Sequence, residues 1–340
     1  MKKVKFGILG AGFGERVMYP CINHNKNLEV KYIFCRNKKK IKNNKILNKV
    51  TENYKKIFND KEIDIVCIET PPKTHKFFVK EAIKNNKAII CEKPLAINIE
   101  DAKMMSKQVK KKRLFACVNH QLRFHPNITK IKNLLRKKYL GKINYITINH
   151  HTNMIDEKKK DNWWFDKNVG GGQLYAIGSH LVDLIQFLNG EIVSLKSTRG
   201  NFLKISNFKK EVWKKKIDTY FSLVCRFSNG SLGNINSSCI TSKDEGLNIV
   251  ISGEKRTIKL NNFENLFVYN SRGVEKNISV KDKLRSVKTI GLNPWRTSQV
   301  YYLKHISEFF NKKKKFLGAS FEDGLKTQKI LSNIITSSKK

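Results

Sequence analysis

Residues 4–14 read Val4-Lys5-Phe6-Gly7-Ile8-Leu9-Gly10-Ala11-Gly12-Phe13-Gly14, an apolar run that drives into a cluster of glycines, with a helix expected from Glu15. This is the pattern of a strand that ends in a tight turn and hands over to a helix. Glycine lets the main chain approach a phosphate closely, and a helix N-terminus offers free N–H groups and a favourable dipole. The segment therefore points to dinucleotide binding, against the plainer reading of a bare strand–turn–helix. Strict G-x-G-x-x-G spacing would place the third glycine at position 15, which is Glu15, so Gly14 stands one place early.

Outward from this turn the first third of the chain alternates. Strands are expected at Lys5–Leu9, Glu29–Cys35, Ile63–Glu69, Ala88–Cys91 and Phe115–Asn119. Helical spacing falls at Glu15–Asn23, with Pro20 ending or kinking it, at Thr74–Asn85 and at Ile99–Lys112. Alternating β and α units imply a doubly wound parallel sheet. After about residue 125 the pattern changes to half-buried strands: Ile143–His151, Tyr220–Phe227, Ser231–Ser238, Asn248–Ser252, Thr257–Leu260 and Leu266–Tyr269, separated by turn signals. This is an open, mostly antiparallel sheet with few helices, closed by Gln299–Phe310 and a helix from Phe321. The expected class is α/β, with a nucleotide-binding domain over 1–122 and an α+β domain over 123–340, the last helix being free to pack back on the first domain.

Composition removes several alternatives. At 340 residues the chain can build two cores. No stretch approaches the ~18 apolar residues of a membrane span, and the first residues do not make a signal peptide. The seven cysteines lack C-x-x-C pairs, and Cys35, Cys67, Cys91 and Cys117 lie in apolar runs. They read as reduced, buried hydrophobes, which fits a cytoplasmic protein without a zinc site. The net charge of +40 invites a nucleic-acid reading. The lysines, however, are spread along the chain among Asn and Ile, all residues of A/T-rich codons, rather than clustered with arginines and aromatics. The expectation is no nucleic-acid partner, with the charge attracting anionic cofactors and substrates.

Four further stretches carry chemistry. Strand two ends Phe34-Cys35-Arg36-Asn37, without the acid that would grip the ribose 2′-hydroxyl of NAD. Arg36 suits a 2′-phosphate instead; one charge-assisted contact of ~1.5–3 kcal/mol gives roughly ten- to a hundred-fold preference for NADP(H). The alternative is a solvated arginine in a basic loop. Glu69-Thr70-Pro71-Pro72-Lys73-Thr74-His75 makes a rigid turn at a strand's carboxyl end, where open α/β sheets bind ligands. Ile89-Ile90-Cys91-Glu92-Lys93-Pro94-Leu95-Ala96 is a buried strand that delivers a lysine to the same crevice. In Gly170-Gly171-Gly172-Gln173-Leu174-Tyr175-Ala176-Ile177-Gly178-Ser179-His180-Leu181-Val182-Asp183, His180 and Asp183 share a helix face, an arrangement suited to proton transfer.

In this order, and with Arg123-Phe124 and Phe321-Glu322-Asp323-Gly324-Leu325, these motifs span essentially the whole chain. They resemble the glucose–fructose oxidoreductase, inositol dehydrogenase and rhizopine-catabolism (Gfo/Idh/MocA) family of NAD(P)-dependent oxidoreductases. The resemblance implies a Rossmann domain followed by an open sheet that binds substrate and forms a homodimer or homotetramer. It implies that Gly10, Gly12, Phe13 and Gly14 hold the pyrophosphate. Thr70, Pro71, His75 and Glu92 would line the cofactor crevice, and Arg123 with Trp163 or Trp164 would bound the nicotinamide side. Lys93 would touch substrate and nicotinamide ribose, and His180 would be the acid/base. Many family members carry an acid four residues before the histidine. That place is Ala176 here, which leaves Asp183 as the partner of His180. The expected reaction is hydride transfer between NADP(H) and a hydroxyl or keto carbon of a sugar, sugar derivative or cyclitol. The alternative is a non-catalytic NAD(P)-binding sensor of the same fold. Substrate contacts are expected from loops 152–168 and 199–216.

Overall fold

The computed structural model describes residues 3–41, 43–154, 163–202, 217–282, 293–312 and 314–337. These fall into two units. The first unit runs to Phe124 and takes back a later stretch that ends at Lys326; the second begins at His125 and takes the end of the chain from Thr327. The units divide at 124/125, beside the expected 122/123, and the stretch returned to the first unit holds Pro294–Lys312 as well as the start of the last helix, which alone was expected to be free to pack back.

The first unit is built on a seven-stranded sheet. Its strands are β1 (Val4–Leu9), β2 (Leu28–Phe34), β3 (Val50–Thr51), β4 (Ile65–Ile68), β5 (Ala88–Cys91) and β6 (Ala116–Val118), with β15 (Ala319–Ser320) added late. The order is β15-β6-β5-β4-β1-β2-β3. β1 to β6 pair in parallel, and β15 joins β6 antiparallel. The order 3-2-1-4-5-6 is that of a dinucleotide-binding Rossmann sheet, whose chain direction switches between β1 and β4. Strands β4 and β5 are apolar on both faces because helices cover both: Ile65, Val66, Cys67, Ile68, Ile89, Ile90 and Cys91 are all inaccessible to solvent.

The helix α1 is continuous from Ala11 to Asn23 in three stretches, Ala11–Phe13, Gly14–Met18 and Tyr19–Asn23, the middle one a wider π turn. Pro20 neither ends nor breaks it. Proline lacks an N–H and would leave the Arg16 carbonyl without its helical donor. Arg296 supplies one instead, its Nη2 donating to the Arg16 oxygen at 3.4 Å. The helices α2 (Lys55–Asn59), α3 (His75–Lys84) and α4 (Ile99–Lys112) complete the β-α units. α4 is capped at its start by Asn98, whose side chain accepts from the Asp101 N–H.

The second unit holds an eight-stranded sheet. α5 (Pro126–Arg136) leads to β7 (Ile143–His151), and α6 (Ser179–Asn189) precedes β8 (Ile192–Gly200). There follow β9 (Tyr220–Phe227), β10 (Leu232–Ser238), β11 (Gly246–Gly253), β12 (Arg256–Asn261), β13 (Asn265–Asn270) and β14 (Glu275–Asn277). The order is β14-β13-β12-β11-β7-β10-β9-β8, antiparallel throughout except for β10 beside β7. The inner face presents Ile146, Ile148, Phe221, Leu223, Ile235 and Ile249, all buried, and α6 packs on β7 and β10 with Leu181, Leu184, Ile185 and Leu188. Strand β8 escapes the periodicity reading because its buried positions are few.

Helix α7 (Pro294–Lys312) packs on α1 and on the 3₁₀ turn Gln121–Phe124 within the first unit. α8 (Phe321–Ser337) follows β15 and runs from one unit into the other.

Candidate active site

The first unit places its polar residues along the carboxyl edge of the parallel sheet. Each ladder is extended by one rung. The Gly10 N–H donates to the Phe34 carbonyl at 3.0 Å, Glu69 to Leu9 at 2.7 Å, Glu92 to Ile68 at 2.9 Å and Asn119 to Cys91 at 2.7 Å. Register then lines up Gly10, Glu69, Glu92 and Asn119 across four adjacent strand ends, at the point where the chain direction switches.

The three glycines of the turn have three separate reasons. Gly10 has φ of +107°, and a Cβ there would lie 2.6 Å from the Glu69 carbonyl oxygen. A Cβ on Gly14 would lie 2.6 Å from Ile8 Cγ2. Around Gly12 nothing stands within 4 Å, so no internal packing demands glycine. An open face over the first turn of α1, whose N-cap has no side-chain hydrogen bond, is what a bound pyrophosphate requires. The residues present fit a dinucleotide there. Phe13 is half-buried in the same turn. Glu15, in place of a third glycine, accepts the Asn43 N–H at 2.8 Å and ties α1 to the loop after β2. Arg36 is exposed at the end of β2. The neighbouring Lys38 N–H donates to Glu52 at 2.8 Å, so a carboxylate is anchored in the same loop region.

Beyond β4, Thr70 and Pro71 are half-buried, and Thr74 Oγ1 donates to Thr70 Oγ1 at 2.7 Å or to the Pro71 carbonyl at 2.8 Å. His75 departs from the expectation that it lines the crevice. It is wholly inaccessible, with Nδ1 3.1 Å from the Pro94 carbonyl oxygen and Nε2 2.8 Å from that of Thr70. Both nitrogens face main-chain carbonyls, one of which accepts the ring N–H according to the tautomer, so the ring packs the Thr70 turn against the Lys93-Pro94 turn. Burial holds its pKa below the ordinary histidine value.

Lys93 stands two residues past the end of β5 and is half-buried. Burial pulls its ammonium below the usual lysine range, while Glu92 and Glu69 pull the other way. Glu92 is buried, and Asn119 Nδ2 donates to its Oε1. Asn119 Nδ2 also donates to Gln299 Oε1 of α7 at 3.1 Å. Burial raises the Glu92 carboxyl, with Lys93 and the Asn119 hydrogen bond opposing. Glu69, Asn119 and Gln299 were not singled out from sequence. An acid closing a wholly apolar strand was the available signal for Glu69; the other two become neighbours only through the fold.

Arg123 is also buried, with its guanidinium 3.7 Å from Asp323 Oδ2, which also accepts the Ser320 N–H at 2.8 Å. It therefore anchors the start of α8 to the first unit.

His180 and Asp183 lie in the second unit, both buried on α6 and three residues apart. The run that leads to them is held from outside the helix. Asp218 Oδ2 accepts the Leu174 N–H at 2.6 Å, and its carbonyl accepts the Gln173 N–H at 2.9 Å. Gly172 has φ of +101° with a Cβ position 2.5 Å from Asp218 Oδ1, and Gly171 leaves no room for a Cβ against the Trp164 carbonyl. Trp164, expected beside the nicotinamide, is buried against Phe165 and its main chain holds Gly172. Its ring is core, whereas Trp163 is 37% exposed and remains available for contact. Of the loops expected to touch substrate, 155–162 and 203–216 lie outside the described residues.

Residues 4–120 match the oxidoreductase family with an NAD-binding Rossmann fold (GFO_IDH_MocA), and residues 128–259 match the GFO/IDH/MocA C-terminal domain. Glucose-6-phosphate 3-dehydrogenase of Bacillus subtilis is 28% identical over 76% of this chain and 74% of its own length. Glucose-fructose oxidoreductase domain-containing protein 1 of Xenopus tropicalis is 26% identical over 54% of this chain, and the match spans about half of that relative, 47%. Levoglucosan dehydrogenase in complex with NADH and levoglucosan superposes with a TM-score of 0.85 at 20% identity, over 99% of this chain and 98% of that one, a likeness of fold. With a Rossmann sheet, a Glu-Lys-Pro turn at its carboxyl edge and an open second sheet all in place, the chain belongs to the Gfo/Idh/MocA family of oxidoreductases.

Proposed function

We propose that this chain is an NADP(H)-dependent dehydrogenase or ketoreductase acting on a hydroxyl or keto carbon of a sugar, sugar derivative or cyclitol. The observation that carries the reading is Lys93, delivered by β5 to the carboxyl edge where the glycine turn opens. In the first unit Gly10, Gly12, Phe13 and Gly14 hold the pyrophosphate, Thr70, Pro71 and Glu92 line the crevice, and Arg36 reads the 2′-phosphate. A bound nicotinamide supplies the hydride acceptor or donor. The Lys93 ammonium holds the reacting oxygen and stabilises negative charge that develops on it. Neutral His180 takes the hydroxyl proton in oxidation, and as imidazolium returns it in reduction, help worth ~10²–10⁴-fold. Asp183, one turn along α6, is the partner that orients that imidazole. The relative named glucose-6-phosphate 3-dehydrogenase and the strongly basic chain favour a phosphorylated or otherwise anionic sugar.

The test is absorbance at the nicotinamide band with sugars, sugar phosphates, nucleotide sugars and cyclitols. Turnover on one class supports the assignment. Tight cofactor binding without turnover on any of them supports the non-catalytic sensor, which Ala176 in place of the usual acid favours.

Two smaller readings accompany it. The outer face of the second sheet exposes Tyr145, Val224 and Leu232. That apolar face supports a homodimer or homotetramer, measurable by light scattering. Among the described residues no helix is long and apolar enough to cross a membrane, and no disulfide joins the cysteines. The latter suits a reducing, cytoplasmic compartment.

A further inference from the structure

Glu69 is the one member of the strand-end row without an obvious role. Its side chain is buried, and no N–H or O–H among the described residues reaches either carboxylate oxygen. Its neighbour one rung past the β4–β5 register is Glu92, also buried, and carboxyl groups at adjacent strand ends stand where they can share a hydrogen bond. Two ionised carboxylates cannot do so, because both are acceptors only; a proton between them converts repulsion into a hydrogen bond. Gly10 and Gly14 close over the same residue. Cβ positions there would fall 2.6 Å from its carbonyl oxygen and 3.9 Å from its side-chain Cβ and Cγ.

We propose that Glu69 is a positioning residue that carries a proton shared with Glu92, so that one negative charge, not two, stands beside Lys93 and beneath the glycine turn. The proposal rests on the role given above to Lys93. With one proton on the pair, Glu92 and Lys93 balance, and the turn that receives an anionic pyrophosphate has no excess negative charge under it. Loss of the proton adds a carboxylate where the cofactor's phosphates approach, and cofactor affinity falls.

The other titratable groups facing Glu69 are Cys67 on β4, Cys91 on β5 and Tyr302 on α7, besides Glu92 and Lys93. Burial pushes both thiols and the phenol well above their ordinary values, so they stay neutral. Burial and Glu92 together hold the Glu69 carboxyl well above the usual carboxylate range, in agreement with the geometry.

Infrared spectra of the full chain test the proton directly. The wild type at neutral pH should show the carbonyl band of a buried carboxylic acid, and Glu69→Gln should lack it. Titration with NADPH and with NADH from about pH 6 to about pH 10 gives the second readout. The wild-type Kd should rise about ten-fold as that band disappears, while Glu69→Gln, which cannot lose the proton, should stay within about two-fold. Absence of the band in the wild type overturns the proposal, and so does the same pH dependence in both proteins. Should Glu69→Gln fail to fold, the wild type decides alone: band and Kd must titrate with one midpoint, and different midpoints overturn it. A Lys93→Met protein with full turnover refutes the role of Lys93 and leaves the infrared band in place, so the two failures are distinguishable.

Discussion

Gly12→Ala separates stability from cofactor binding. Gly12 lies in the first turn of α1 with nothing within 4 Å of a Cβ, so the added methyl meets no protein atom. Alanine restricts the unfolded chain and suits a helix, a gain of up to about 0.5–1 kcal/mol, or a Tm rise of about 1–4 °C. The same methyl fills the space a pyrophosphate must enter. Loss of that approach is worth at least one contact of ~1.4 kcal/mol, a ten-fold or greater rise in Kd for NAD(P)H. Gly10→Ala is the counterpart. There φ is +107° and the methyl meets the main-chain Glu69 carbonyl oxygen at 2.6 Å, an atom that cannot swing aside. A strained φ costs ~1–3 kcal/mol, and the clash adds to it, so Gly10→Ala should unfold at markedly lower temperature. Differential scanning fluorimetry and nicotinamide fluorescence titration measure both. A Gly12→Ala protein that binds NAD(P)H like the wild type overturns this account of Gly12, because glycine would then serve no approach at that position.

Lys93→Met and His180→Ala should each lower kcat by ~10²-fold or more with little change in cofactor Kd; unchanged turnover in either removes that residue from the mechanism. Arg36→Asp should move preference from NADP(H) toward NAD(H), read as the ratio of kcat/KM values, and a wild type that already prefers NAD(H) contradicts the role of Arg36. Since Lys93 acts as an ammonium and burial lowers its pKa, kcat/KM should fall as pH rises through a value below the ordinary lysine 10.5; a limb at or above that value counts against it. His125 and His150 are pushed by burial from 6.5 to about 4. The unfolded chain then binds these protons first, so stability is present above 6.5 and is lost as pH falls toward 4, by about 3 kcal/mol for each at pH 4. Urea unfolding across that range checks the slope, which His125→Asn should reduce.

Local residue pattern was enough to place most of the elements and the motifs they carry. β1 and the glycine turn, β5 with Glu92-Lys93, and α6 with His180 are legible because burial on both faces, helical spacing and glycine or proline punctuation are local properties of a chain. Tertiary structure decided what depends on contacts between distant residues. It returned Pro294–Lys312 and β15 to the first unit, where Arg296 serves the Arg16 carbonyl freed by Pro20. It turned His75 and Trp164 from expected ligand contacts into buried ties, and bound Arg123 to Asp323. It set Glu69 beside Glu92, residues 23 apart in sequence, by the register of two parallel strands. Register, burial and the ionisation of neighbouring acids are collective outcomes of packing, and no local pattern of residues encodes them.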